Sequence, residues 1–218
     1  MIVVIQCAAR KHAAGGYLRR KDGAKVKFVA DPLGAPQGEE YAFARPDDIS
    51  DSGITWREQL VRYNASPGDN QLGLLAASRL YMHPAYRLLE ESVGPEKLFI
   101  LSAGWGLIRA DFLTPQYDIT FSARAKQDAP WKFRRQSSDQ YQDSCQLPEE
   151  CVEPITFFGG KDYVPLFLRL TEGASARRTI FFNSVEPPHA PGCDLRKFQT
   201  RTKTNWHYEC VRTFLTRA

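Results

Sequence analysis

At 218 residues, with 43% hydrophobic and 25% charged side chains, the chain is long enough for one substantial core and shorter than two domains usually require. Its 29 lysines and arginines exceed its 25 acidic residues by too little, a formal charge of +4, to identify a polyanionic partner, so the placement of the bases matters more than their number. The composition excludes a disordered chain, and no apolar window approaches the roughly 20 residues of a membrane helix.

In chain order, "IVVIQC" (2–7) is the first strand candidate, succeeded by "GYLRRKDGAKVKFVAD" (16–31), where Lys-Asp-Gly-Ala between two possible strands signals a hairpin. The stretch 32–53, rich in Pro, Gly and acid, reads as a long loop or flap. "TWREQLVRYN" (55–64) reads as a short helix with Thr55 as its cap and Glu58 completing a capping box. Apolar spacing predicts helices over 70–81 and 84–94, the second with Pro84 at its start and Gly94 at its stop. Strands are expected at 97–103, 154–160 and 178–184, all dense in Ile, Val and Phe without strict alternation, as in strands buried on both faces. Helices at 161–173, with Pro165 in its first turn, and 204–217 complete the pattern. The expected fold is α/β: a single-domain three-layer sandwich over 1–218 with a mostly parallel central sheet, and an inserted hairpin and flap at 16–65.

Five cysteines, at 7, 145, 151, 193 and 210, form no CxxC pair, which speaks against a zinc ribbon or a disulfide framework and for reduced thiols. The N-terminus "MIVVIQC" has no leader pattern, so a cytoplasmic protein is expected, without membrane association and with no obligate protein partner evident. His12, His83, His189 and His207 lack metal-ligand spacing, and neither a metal nor another cofactor is expected.

Ligands of open α/β sheets collect beyond the carboxyl ends of the strands. At those ends the chain places Cys7 with Arg10 and Lys11; Ser102, Gly104, Trp105 and Gly106; Gly159, Gly160, Lys161 and Asp162; Asn183 and Ser184. Small polar residues let a ligand approach the backbone, although glycine after a strand also serves simply to turn the chain. "GGKDY" lacks the ends of a Walker A loop, "GWGLIRA" lacks the third glycine of a dinucleotide fingerprint, and no GxSxG elbow is present.

Four segments, "VVIQCAARKH", "LY" at 80–81, "ILSAGWGLIRADFLTPQYDITFS" and "FFGGKDY", occur in an order that resembles the YaaA-like superfamily. The similarity is tight over Leu98 to Ser122 and loose elsewhere. Its central motif, Leu-Ser-Ala-x-Tyr-Gly-Leu and then Pro-Tyr-Asp, looks like Leu101 to Leu107 and Pro115 to Asp118, with Trp105 in place of Tyr and Gln116 interrupting the Pro-Tyr pair. The resemblance implies work on nucleic acid, since the superfamily includes DNA-binding peroxide-stress proteins. It extends to an anti-phage DNA glycosylase acting on modified bases, and DNA is the partner it implies. Segment 16–65 lies outside the minimal pattern and is where substrate choice would be built.

Breaking an N-glycosidic bond requires a base held by stacking and edge contacts, and a carboxylate near C1′ to stabilise an oxocarbenium-like transition state. Asp118 is the carboxylate chosen, with Tyr117 beside it; the structural alternative for Asp118 is a cap or Asx-turn. Asp111 and Asp162 are weaker candidates. Trp105 reads either as an indole face for a flipped base or as a core aromatic. Cys7 reads as a nucleophile or as a small buried hydrophobe. Lys11 and Arg10 suit phosphates, and Lys11 is also the lysine that lyase chemistry would use as a Schiff-base nucleophile. Asn183 could read a base edge or simply end a strand. Arg19, Arg20 and Lys21, and the segment 122–135 with Lys126, Trp131, Lys132, Phe133, Arg134 and Arg135, mix bases with aromatics as a nucleic-acid surface does; a solvated charged face is the plain alternative. The stretch 194–207 adds to this pattern.

Overall fold

The strand that opens the chain, β1 (Ile2–Gln6), is apolar on both faces because it lies in the middle of a sheet covered on both sides. Val3, Val4 and Ile5 are fully buried, each contributing about 1.5–3 kcal/mol of apolar transfer free energy. In the computed structural model, which describes residues 1–36, 38, 40–135, 141–202 and 204–216, β1 pairs in parallel with β6 (Leu98–Ser102) and β11 (Ile155–Phe158). The sheet continues in parallel through β12 (Arg178–Phe182) and β13 (Cys193–Lys197). On the other side, β7 (Gly106–Arg109) turns back antiparallel to β6 and carries β10 (Ser144–Cys145) beside it, giving the order β10-β7-β6-β1-β11-β12-β13.

Adjacent residues of β11 show the three layers. Phe157 stacks on Phe167 of α5 (Val164–Leu170) at 4.7 Å, whereas Phe158 meets Phe214 of α6 (Trp206–Leu215) at 5.2 Å. Successive side chains of a strand point to opposite faces, so α5 and α6 cover opposite sides of the sheet. α3 (Ala85–Val93) lies against α6 and β1. Its start at Pro84 and its stop at Gly94, where φ is +82°, are those the sequence predicts. No described helix is long and apolar enough to cross a membrane.

The segment 16–65 builds a second small sheet. The hairpin forms between β2 (Leu18–Arg19) and β3 (Lys25–Val29), with Gly23 at φ +88° in its turn. The flap contributes β4 (Tyr41–Ala44), parallel to β3, and α1 (Trp56–Ala65) comes next. At the start of α1, Thr55 Oγ1 accepts from Glu58 N (3.1 Å) and the Glu58 carboxylate accepts from Thr55 N (2.9 Å), the expected capping box. The other edge of β3 takes β9 (Tyr117–Asp118), so the insertion grips the loop that carries the proposed acid.

The structure departs from the predicted elements outside the central strands. The helix predicted over 70–81 shrinks to α2 (Ala77–Leu80), because Asn70 and Gly73 adopt positive φ and the Asn70 side chain bonds both the amide and the carbonyl of Leu74. The preceding β5 (Leu75–Ala76) pairs instead with β8 (Leu113–Thr114). Between β6 and β10 the chain also forms β7, β8 and β9, and β7, β10 and β13 extend the sheet where no strand is predicted. Lys203 of the basic stretch 194–207 and Arg217 of the last helix lie outside the described residues.

Candidate functional site

Beyond the end of β6 the chain makes a tight turn, Ser102-Ala103-Gly104-Trp105, before Gly106 begins β7. A buried turn must find partners for its polar backbone. Ser102 Oγ accepts from Gly104 N (3.2 Å) and Trp105 N (3.1 Å), and Cys7 Sγ accepts from Ala103 N at 3.5 Å. Two buried arginines take the carbonyls. Arg134 Nη1 donates to Ala103 O (2.7 Å), and Arg57 donates to Gly104 O and Trp105 O, each at 3.0 Å. Both guanidiniums are in turn forked onto carboxylates, Arg57 on Asp47 and Arg134 on Asp143.

The glycines are steric requirements. A Cβ on Gly104 would press on Tyr117 and Ile119 at 3.2 Å; one on Gly106, where φ is +87°, would lie 2.2 Å from the Ser144 carbonyl. Trp105 is 1% exposed, edge-on to Phe28 at 4.9 Å and Tyr117 at 6.4 Å, with Arg57 over its ring. Its indole is part of the core, the second of the two readings offered by the sequence, and presents no face to solvent.

The turn supports a polar cluster at the carboxyl ends of β1 and β6. Ser102 Oγ donates to Tyr117 OH at 2.9 Å, and Tyr117 OH shares a proton contact of 2.7 Å with Tyr81 OH. Tyr163 OH lies 3.2 Å from Cys7 Sγ. Burial pushes the Tyr81, Tyr117 and Tyr163 phenols well above their ordinary range, so they act as neutral hydrogen-bonding groups rather than bases. Lys11 reaches over the Tyr117 ring, its Nζ 4.0 Å from the centroid and 5.9 Å from that of Tyr81. Burial lowers the Lys11 pKa despite the raising influence of Cys7 and Asp118. The residue as a whole is only half-buried, so part of it reaches solvent while protein crowds its ammonium.

Asp118 lies on the neighbouring register of β9, bonded to Lys27 at 3.2 Å and Lys132 at 3.0 Å. Burial pushes its carboxyl upward, but Lys27, Lys132 and Lys11 together outweigh that and hold it below the usual carboxylate range. Two ammonium groups thus hold one ionised carboxylate, with the Lys11 amine further off, a net cationic field that favours an anionic ligand.

Two adjoining clefts open beyond β11 and β12, sharing Lys161, Asp162, Val164 and Pro188. The larger, about 480 Å³, presents Phe121, Lys126, Phe133, Lys161 and His189; the smaller, about 250 Å³, is reached by Gly160, Asn183 and Trp206. The larger cleft and the polar cluster are joined through packed residues, although Lys11, Tyr117 and Asp118 do not line the cleft. Phe121 meets Tyr163 edge-on at 5.1 Å, and Lys132, the residue before Phe133, holds Asp118.

The structure therefore brings together Cys7, Lys11, Ser102, Gly104, Tyr117 and Asp118, and places Gly160, Asn183 and Lys126 in the adjoining clefts. Gly160 N donates to the Gln6 side chain at 2.6 Å, and the Asn183 amide to Thr202 O at 3.4 Å. Lys126 covers the Phe133 ring at 4.5 Å, and Trp131, half-buried, offers its carbonyl to the amides of Ala30 and Asp31. Arg10 and Arg135 are exposed. Arg19 and Arg20 sit on the β2–β3 hairpin, bonded to Gly23 O and Asp51, on a different element from the clefts. Arg134 borders the larger cleft, yet its side chain is 1% exposed and forked on Asp143, so its charge is committed inside the protein. Asp111 is exposed and paired with Arg109, away from the cluster.

Sequence reading passes over Arg57, Asp47, Lys27 and Tyr163. One signal was available for Arg57, which shares a helical face with Leu60, three residues on, where an apolar residue is expected. Among the described residues no group of three or more His, Cys, Asp or Glu is placed to hold a metal ion.

The fold is that of a three-layer α/β protein with its site at the carboxyl edge of a mostly parallel sheet. No family model, curated protein or solved structure matches the chain.

Proposed function

We propose that the chain is a DNA-processing enzyme of glycosylase type, hydrolysing the N-glycosidic bond of a damaged or modified base to leave an abasic site. The observation that carries this reading is an ionised carboxylate, Asp118, paired with Lys27 and with Lys132, the latter next in the chain to Phe133 of a basic cleft. A carboxylate kept charged is suited to stabilising the positive charge that develops at C1′, and the surrounding ammonium groups suit the flanking phosphates. Phe133 supplies an aromatic surface and Lys126 and Lys161 cations along the larger cleft, as stacking and backbone neutralisation of an extruded strand require. Asn183 lines the smaller cleft, where its side chain would meet a base edge.

The stretches that resemble the YaaA-like superfamily, Leu101 to Leu107 and Pro115 to Asp118, contribute Ser102, Tyr117 and Asp118 to the cluster, which supports carrying the superfamily's DNA partner to this chain. On the same resemblance we place it in the cytoplasm, acting on hypermodified phage DNA in anti-phage defence. The test is abasic-site formation, read with an aldehyde-reactive probe, in ordinary and hypermodified phage DNA. Abasic sites that depend on Asp118 support the reading. Salt-sensitive binding without abasic sites in any DNA would instead make the chain a non-catalytic DNA-binding protein. Turnover of free nucleosides unaffected by substitutions in the cleft would make it a nucleoside N-glycosidase.

A further inference from the structure

We propose that Lys11 is an amine nucleophile toward C1′ of deoxyribose, so that the protein also cleaves the DNA strand at abasic positions through a Schiff base. The inference rests on the glycosylase reading and adds to it a covalent step. Lys11 is held in place: its backbone bridges to Tyr81, the next amide, His12 N, donates to Leu80 O at 2.9 Å, and its Nζ sits over the Tyr117 ring. The other cations of the cluster are committed elsewhere, Lys27 and Lys132 to Asp118. Among the described residues no carboxylate lies within 4.0 Å of the Lys11 Nζ, so no ion pair locks it as an ammonium.

The groups facing it are the Tyr117 and Tyr81 rings, Cys7, and the more distant charges of Asp118, Lys27 and Lys132. Burial among them lowers its pKa, which raises the fraction of free amine near neutral pH. A lysine whose amine is desolvated, in a residue partly open to solvent just beyond the carboxyl end of β1, has the properties that imine formation needs.

In the base-releasing step the Nζ lone pair bonds to C1′ as the C1′–N bond breaks, and the proton lost from the nitrogen goes to the departing base. The nitrogen lone pair then forms the C1′ iminium as the ring C1′–O4′ bond breaks, and O4′ takes a proton from solvent. With an abasic site already present, the C1′ aldehyde condenses with the amine and releases water. Loss of the C2′ proton then expels the 3′ phosphate, cutting the strand.

A preformed abasic site removes the need to know the base. The full-length protein is incubated with a labelled duplex carrying one abasic position, with sodium cyanoborohydride to reduce any iminium. The expected result is a covalent protein–DNA adduct whose peptide map places the link on Lys11, together with strand cleavage when the reductant is left out. Lys11→Arg, which keeps the charge but forms no imine, loses the adduct. Lys97→Ala, at the opposite end of the strands beside Glu153, retains it. Mapping on the unmodified protein makes the result independent of how a variant folds. No adduct, or an adduct on another lysine or the terminal amine, overturns the assignment. Base release from modified DNA without an adduct would leave the glycosylase reading standing and Lys11 excluded as nucleophile. A Lys11 adduct with no base released from any DNA would support the lyase step and sink the glycosylase.

Discussion

Replacing Arg57 by alanine withdraws one guanidinium from four hydrogen bonds: 2.6 and 3.0 Å to Asp47, and 3.0 Å each to Gly104 O and Trp105 O. The Arg57 side chain is 8% exposed and that of Asp47 14%, so water cannot take over all of these contacts. Breaking a buried ion pair from one side costs about 3–5 kcal/mol, and each buried carbonyl left without a donor about 1–3 kcal/mol more. Relaxation of the turn offsets part of that sum, and the net expectation is a loss of about 4 kcal/mol. For a chain of this length that lowers Tm by roughly 8–16 °C. Urea unfolding and calorimetry measure it directly. Arg57→Lys recovers only part of the loss, because a point charge cannot fork onto Asp47 and still reach two carbonyls. A loss below about 1 kcal/mol would refute the claim that this arginine holds the Ser102–Trp105 turn in place.

Other expectations concern single positions. Asp118→Asn removes the charge that Lys27 and Lys132 hold, and base release is expected to fall by about 10²–10³-fold with the fold intact; unchanged release would remove Asp118 from the chemistry. His207 is 4% exposed with its Nε2 unpartnered, and burial drives its pKa down to about 3. Only the unfolded chain is protonated there between pH 6.5 and about 3, so stability falls as pH drops through that window, by up to about 1.4 kcal/mol per unit, and His207→Phe should flatten the profile in acid denaturation. Gly106→Ala forces a side chain into a positive φ and onto the Ser144 carbonyl, costing more than about 2 kcal/mol in urea unfolding. Lys126→Glu should weaken DNA binding and lower the slope of log K against log salt by roughly 1–2, whereas an unchanged slope would place the strand elsewhere.

The interior of the sheet was legible because its code is local. Doubly buried strands such as Ile2–Gln6 and Ile155–Phe158 are dominated by large apolar residues without alternation, and the capping residues of α1 and the breakers around α3 mark their own boundaries. What the sequence hid is set by distant partners. Leu113–Thr114, Tyr117–Asp118 and Ser144–Cys145 are two residues each, too short for any period, and exist only because Leu75–Ala76, Val29 and β7 offer edges. The helical pattern at 70–81 lost to the Asn70 side chain, which supplies the backbone with local hydrogen bonds a helix would have made. The cluster was half legible. Lys11, Ser102 and Tyr117 lie just after strands or on the loop that returns to them, so topology brings them together, while Lys27 and Arg57 arrive from the insertion through pairings that no short motif encodes. Trp105 and Arg134 show the opposite error: an aromatic and a base in a polar loop look exposed until the partners that bury them, Phe28 and Asp143, are in view.

The central claim, that this site cleaves an N-glycosidic bond, is tested most directly by mass spectrometry of the small molecules released from hypermodified phage DNA. The wild-type protein should release a free base, not a nucleoside or nucleotide, in amount equal to the abasic sites and strand breaks formed together, and Asp118→Asn should release little. No base from any DNA, or release indifferent to Asp118, would contradict it.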